Sequence, residues 1–268
     1  MTSLQIETGL GVLALFLVLA ESFAMVPRRT IAGVAIGGLL LALVLLFNCS
    51  TAVPDSLKDF YATDRLAIFY KGLAVLSTLS VLILALEYAP VVNHYISSHP
   101  EKTKDAGMGE FYSLPLIVCV GLMVMASAKD IVTLFVSLEL TTVSFYVLVA
   151  FMRRSLASLE AGVKYLILGA LSTGLLVYGL AWLYGMTGQT TLEGIAQKVA
   201  EPNAPMAPLL FAAALVLAGL GFKVAAVPFQ IWVPDVYQGA PTPTTAFLSV
   251  GSKASGFIVL TRVVNAFT

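Results

Sequence analysis

GLGFKVAAVPFQIWVPDVYQGAPTPTTAFLSVGSKASG, residues 219–256, sets two lysines, Lys223 and Lys253, and a proline-rich interruption inside otherwise apolar sequence. A lysine is costly in oil, and a proline within a helix removes an amide donor and clashes with the preceding turn. Whether such residues are a liability or a device depends on the solvent around the chain, and composition identifies that solvent.

Of the 268 residues, 59% are hydrophobic and only 11% charged, and the mean hydropathy is +0.93. Apolar runs recur near the ~20 residues a helix needs to cross a bilayer, the pattern of a polytopic integral membrane protein. The formal net charge is zero, which leaves no basic field for nucleic acid. Cys49 and Cys119 stand apart without a ligand motif, so both read as small apolar packing residues, with neither a disulfide nor a metal site expected. The first apolar run follows Glu7 rather than a basic stretch, favouring a retained first span over a cleaved signal peptide.

Only helices and closed barrels satisfy the backbone in lipid, and these runs are too long for barrel strands. An all-α fold of eight spans follows, at 9–26, 31–47, 66–86, 111–127, 131–152, 161–186, 208–232 and 244–266. Polar connections are predicted at 48–65, 87–110 and 188–207, with tight turns elsewhere. With the N-terminus outside, the inner loops hold Arg28, Arg29, Lys102, Lys104, Arg153 and Arg154; the outer loops hold Lys58, Arg65, Lys129 and Lys198. That modest bias puts the N-terminus on the outer side and FMRRSLASLEAG in the cytoplasm.

The informative residues are ionisable groups far from the ends of a span: Glu139 in the fifth, Lys164 in the first turns of the sixth, Lys223 well inside the seventh and Lys253 midway along the eighth. A charge at a helix centre costs at least ~2.5–3.5 kcal/mol, so each is a candidate functional group. The alternative, a lysine stem carrying its ammonium out to the interface, suits Lys164 best and Lys223 and Lys253 least. Thr245, Ser249 and Lys253 recur every four residues, a helical spacing that draws a polar stripe along the eighth span. Ser137, Thr141 and Ser144 accompany Glu139; their hydroxyls can hold water beside the carboxylate or bond their own backbone. Pro228 and Pro234 should open the seventh helix near residues 223–228, freeing carbonyls that are tolerated at depth only against protein or a wet cavity. A packing kink is the simpler alternative.

FKVAAVPFQIWVPDVYQGAPTPTTAFLSVGSKASGF, together with SLELTTVSFYVLVAFMRRSLASLEAGVKYLILGALSTGLLVYG, resembles the N-type antiporter-like membrane subunit of proton-pumping NADH:quinone oxidoreductase, respiratory complex I. The resemblance covers at least residues 111–262. The L and M types and the Mrp cation/proton antiporters share a related lysine and proline motif, whereas the wording PDVYQGAP is that of the N type. The resemblance implies that Glu139 and Lys223 form a charge pair, that Lys253 relays protons centrally and that Lys164 adds a polar link.

The family usually carries histidine where this chain has Gln230, which therefore offers hydrogen bonds rather than a titrating group. Full members contain two inverted repeats, each with a broken helix. The resemblance thus implies three N-terminal helices over 1–110 and the first five-helix repeat, helices four to eight, over 111–268, with the second repeat absent. The resemblance therefore implies either a truncated chain or one part of a longer polypeptide.

The implied function is a membrane-arm subunit that carries part of a proton channel, its partners being the bilayer, protons and neighbouring antiporter-like subunits in a bacterial inner membrane. No glycine-rich nucleotide loop, cysteine cluster or histidine pair appears in the sequence, and His94 and His99 fall in a predicted polar loop. NADH, flavin, iron–sulfur clusters and quinone are accordingly expected on other subunits, with no cofactor in this chain. An Mrp-type sodium or potassium/proton antiporter, a membrane-bound hydrogenase subunit and a structural spacer are the competing readings.

Overall fold

A computed structural model of the chain describes residues 2–23, 26–96 and 108–265. Eight helices are long and apolar enough to cross a membrane. In chain order they are α1 (Ser3–Phe23), α2 (Arg28–Phe47), α3 (Arg65–Ile96), α4 (Met108–Ser127), α5 (Ile131–Val149), α6 (Leu156–Thr187), α8 (Met206–Val224) and a composite last span. A short helix, α7 (Leu192–Val199), follows α6; α9 (Val233–Gly239) follows α8. The last span joins α10 (Thr242–Phe247), a π-helical turn (Leu248–Ser252) and α11 (Lys253–Val264).

The helices start and stop where backbone chemistry provides a partner. Asp130 accepts the Val132 and Thr133 amides ahead of α5, and Ser155 caps α6 through Ser158. Gly188, at φ 65°, closes α6 in the left-handed conformation that glycine adopts without steric cost. Thr191 caps α7, a helix that falls within the predicted loop 188–207; it forms because Ile195 is fully buried.

Two further boundaries differ from expectation. The first helix begins at Ser3, so Glu7 lies within it rather than ahead of it. The third runs to Ile96 through Pro90, because Ala89 and Val92 remain packed. It thereby takes in His94, which is a residue of the last turn and not of a loop. Lys102, Lys104 and His99 lie outside the described residues.

Helix α4 is the most enclosed span, and α1, α2, α3 and α5 pack around it. A second packing unit joins α6 to α8 through small residues: a Cβ on Gly179 would meet Val216 Cγ2 at 2.8 Å, and one on Gly219 would meet Leu176 Cβ at 2.7 Å. Such residues let membrane helices approach closely where lipid gives no hydrophobic drive for association. Two ends of the bundle follow. One gathers Thr2, Ser50, Tyr61, Ala128 and Thr191 through isolated backbone bridges. The other brings the Arg153–Arg154 turn against α3 and α4, with the Arg154 amide donating to the Tyr95 carbonyl and Arg153 3.8 Å from Glu110.

Candidate functional site

The seventh span breaks where expected, but not by the expected agent. Helix α8 ends at Val224 because Ala225 adopts φ 58°, and its amide closes on Gly221 and Phe222 carbonyls. Pro228 lies beyond that end, in non-helical chain, and Pro234 occupies the first turn of α9, where a missing amide costs nothing. Lys223 consequently sits in the last turn of α8 rather than well inside a continuous helix. Residues 227–232 make consecutive turns, and the Trp232 indole N–H donates to the Phe222 carbonyl at 3.0 Å, tying the far side of the break to the helix it left.

Lys223 is buried, and its Nζ donates to Thr142 Oγ1 on α5 at 2.9 Å. Glu139, one turn earlier on α5, accepts from Thr173 Oγ1 of α6 at 2.9 Å. The Lys223 ammonium thus meets α5 one turn along from the Glu139 carboxylate, without a direct ion pair between them among the described residues. Lys253 donates to the Tyr237 hydroxyl of α9 at 2.6 Å, and its Nζ lies 4.8 Å from the centre of that ring and 6.0 Å from the Trp232 ring. Helices α8 and α11 meet closely between these lysines: a Cβ on Gly256 would come within 3.8 Å of the Lys223 carbonyl carbon. Trp232 also stacks on Tyr165, with centroids 5.0 Å apart, so aromatic rings wall one side of the break.

Lys164 takes a different position. Because α6 begins at Leu156, this residue stands in its third turn and is half-exposed. Its Nζ reaches Asp235 Oδ2 of α9 and Glu160 Oε1, both at 2.7 Å. With Ala157, Ala161, Gln238 and Gly239 these groups line a cavity of about 140 Å³. Lys164 thus links α6 to the broken segment; the structure does not bring it into contact with Glu139.

The hydroxyls divide differently from the sequence pattern. Ser137 donates to Leu134, Thr141 to Ser137 and Ser144 to Leu140, all through backbone carbonyls. Thr141 faces α4 at Gly121. On the last span, Thr245 donates to the Tyr237 carbonyl at 3.3 Å, whereas Ser249 is exposed and donates to Ala246. The π-helical turn inserts between Thr245 and Lys253, so a four-residue spacing no longer marks one face. Gln230 Oε1 is buried, and no hydrogen bond to it is formed among the described residues.

Thr142, Thr173, Tyr237 and Asp235 are the partners that sequence reasoning did not name. Thr142 stood within the quoted motif, three residues from Glu139, a helical neighbour spacing that could have singled it out. Asp235 and Tyr237 are three-dimensional partners brought in by the break, and no local pattern relates them to Lys164 or Lys253.

Residues 128–267 match the family described as NADH:quinone oxidoreductase/Mrp antiporter, TM. The chain is 38% identical over 255 residues to NADH-quinone oxidoreductase subunit N of Heliobacterium modesticaldum, covering 95% of this chain and 50% of that protein. It is 41% identical over 261 residues to the subunit N of Desulforamulus reducens, covering 94% and 51%. A chain of respiratory complex I from Thermus thermophilus superimposes with a TM-score of 0.77 at 32% identity, over 96% of this chain and 53% of that one. A chain of the Mrp complex from Dietzia sp. shares the fold with a TM-score of 0.72 at 20% identity, over 100% and 49%. The chain spans about half the length of the curated relatives it matches.

Proposed function

Because the chain belongs to the NADH:quinone oxidoreductase/Mrp antiporter membrane family, we propose that it forms the first half of a complex I subunit N and carries part of a proton-translocation channel through the membrane arm. The observation that carries this reading is the pair of lysines at the break: Lys223 held by Thr142, one turn along α5 from Glu139, and Lys253 held by Tyr237. A lysine taken out of water binds its proton less tightly, and an approaching carboxylate strengthens that binding, so position and hydration set its occupancy. Protons pass between the two lysines at the junction of α8 and α11. Moving each one against the potential costs ~2.3 kcal/mol per 100 mV, and quinone reduction elsewhere in the complex provides it.

In this assignment residues 1–110 form a three-helix N-terminal unit and 111–268 the first antiporter repeat. The neighbours are other membrane-arm subunits, and cofactors reside on those subunits. The Arg153–Arg154 turn faces the cytoplasm of a bacterial inner membrane, with the N-terminus outside. A sodium or potassium/proton antiporter would share this fold, but relatives named as NADH-quinone oxidoreductase subunit N at 36–42% identity favour the quinone-linked complex.

The test is proton uptake per NADH oxidised in proteoliposomes holding the complete complex, with Glu139→Ala and Lys223→Ala beside wild type and assembly verified. A lower ratio is expected in both. An unchanged ratio in both would remove the assigned site.

A further inference from the structure

The three N-terminal helices hold a second buried charge pair, remote in sequence from the motif around the break. Lys71 of α3 and Glu7 of α1 lie 2.8 Å apart, with side chains 0% and 2% exposed. Lys71 Nζ also donates to Ser3 Oγ at 2.5 Å and to the Tyr61 hydroxyl at 2.8 Å. Tyr61 in turn donates to Glu7 Oε1 at 2.7 Å, and its oxygen lies 3.1 Å from Ser3 Oγ. One hydroxyl therefore touches both charges. Glu7 Oε2 is fully buried, and no hydrogen bond to it is formed among the described residues.

Two features argue against a simple clamp. A buried ion pair recovers little of its desolvation cost, and apolar residues of similar size commonly hold two helices as well. Lys71 is only in the second turn of α3, where a lysine stem could carry its ammonium out to the interface; instead it turns inward and is wholly covered. The site stands near the end of the bundle that carries Thr2, Ser50 and Ala128, a turn or two from an aqueous face. Its other ionisable neighbours are Cys49, Cys119 and, more distantly, Arg262 of α11, which is paired with Asp64.

The site also points inward. On α3, Thr78 follows Lys71 by seven residues, two helical turns along one face, and both are fully buried. The adjacent Ser77 Oγ approaches Gly251 of the π-helical turn, where a Cβ would lie 3.1 Å from it. Helix α3 thus runs from the buried pair to the turn that precedes Lys253.

We propose that Glu7 and Lys71, bridged by Tyr61, form a further proton-holding site on the N-terminal helices, exchanging protons with the bundle end that carries the N-terminus. An arriving proton converts the ammonium–carboxylate pair to ammonium and carboxylic acid, the new O–H forming on Glu7; releasing that proton restores the carboxylate. Burial first, and the Glu7 charge second, push the Tyr61 hydroxyl well above its ordinary range, so it stays a neutral donor and acceptor between the charges.

This inference rests on the proton-translocating reading above, and the test separates the two. In the complete complex in proteoliposomes, Tyr61→Phe leaves both charges and their packing in place, and Glu7→Gln/Lys71→Met replaces the pair by neutral groups of similar size. A proton-holding site predicts loss of proton uptake per NADH in both, together with loss, in the double variant, of a protonated-carboxyl band from the infrared difference spectrum. A clamp predicts wild-type uptake in Tyr61→Phe, and that result overturns the proposal whether or not the double variant assembles. Full uptake in Tyr61→Phe beside a fall in Glu139→Ala would sink this site alone; full uptake in Glu139→Ala and Lys223→Ala as well would remove the translocating reading with it.

Discussion

Lys253 and Tyr237 face each other across the broken segment at 2.6 Å, ammonium to phenol, with the lysine also 4.8 Å from the ring centre. The phenol oxygen can accept from the ammonium and its face can attract it, so one side chain holds the lysine in two ways. The short helix α9 that follows the break is therefore also the wall that positions Lys253.

Removing that oxygen isolates its role. Tyr237→Phe keeps the ring and deletes a charge-assisted bond of about 1.5–3 kcal/mol. Lys253 should then lose its fixed geometry, and proton uptake per NADH should fall with the complex still assembled. Wild-type uptake in this variant would show that the contact is dispensable.

Charge and proton release can be separated at the same position. Lys253→Arg keeps a cation that does not give up its proton, whereas Lys253→Ala removes it. Both should assemble and pump poorly. Full pumping with arginine and loss with alanine would make Lys253 a fixed positive charge and end its assignment as a relay.

Lys223 depends on a hydroxyl. Thr142→Val preserves shape and removes the acceptor, leaving a buried ammonium short of a partner at a cost of about 1–3 kcal/mol. A lower thermal midpoint and reduced pumping are expected, and Thr142→Ser should restore both. Equal behaviour of valine and serine would mean that Lys223 finds another acceptor.

Packing yields a prediction independent of protons. Gly179→Ala places a methyl 2.8 Å from Val216 Cγ2 and 2.9 Å from the Ala212 carbonyl oxygen, forcing α6 and α8 apart. Overpacking of this kind costs about 1–3 kcal/mol. The melting temperature of the detergent-solubilised complex should drop, whereas Gly174→Ala, with nothing within 4 Å, should leave it unchanged. Similar midpoints for the two variants would contradict the close approach.

Sidedness is open to a direct measurement. Single cysteines at Arg154 and Asn203 lie on connections at opposite ends of the bundle, both exposed. They should label from opposite faces of sealed membranes, Arg154→Cys from the cytoplasmic one. Labelling of both from the same face would overturn the orientation.

The spans were legible because lipid admits a single local solution, the apolar helix, and each had only to be long enough. The site was legible in part. Glu139, Lys223 and Lys253 stood out as charges within oil, a signal that needs no partner to be seen. Their contacts did not, since Thr173 and Tyr237 become neighbours only through packing between spans. Lys71 carried the same signal, a lysine within RLAIFYKGLAVL, but lay close enough to the span's start to pass as interfacial. Its pairing with Glu7 spans 64 positions of sequence, which no helical period connects. The helix end at Ala225 was hidden by chemistry: alanine is among the best helix formers, and only the surrounding turns hold it left-handed.

The π-helical turn Leu248–Ser252 divides the last span into two segments of different phase. Each residue added to a helix advances it by about 100°, so the surplus residue of the turn sets α11 about that far around its axis from the continuation of α10. Deleting one residue between Ala246 and Ser252 would let a regular helix form and swing Lys253 out of line with Tyr237, with no charge altered. The azimuth of the central lysine is thus encoded by a count of residues rather than by their identities.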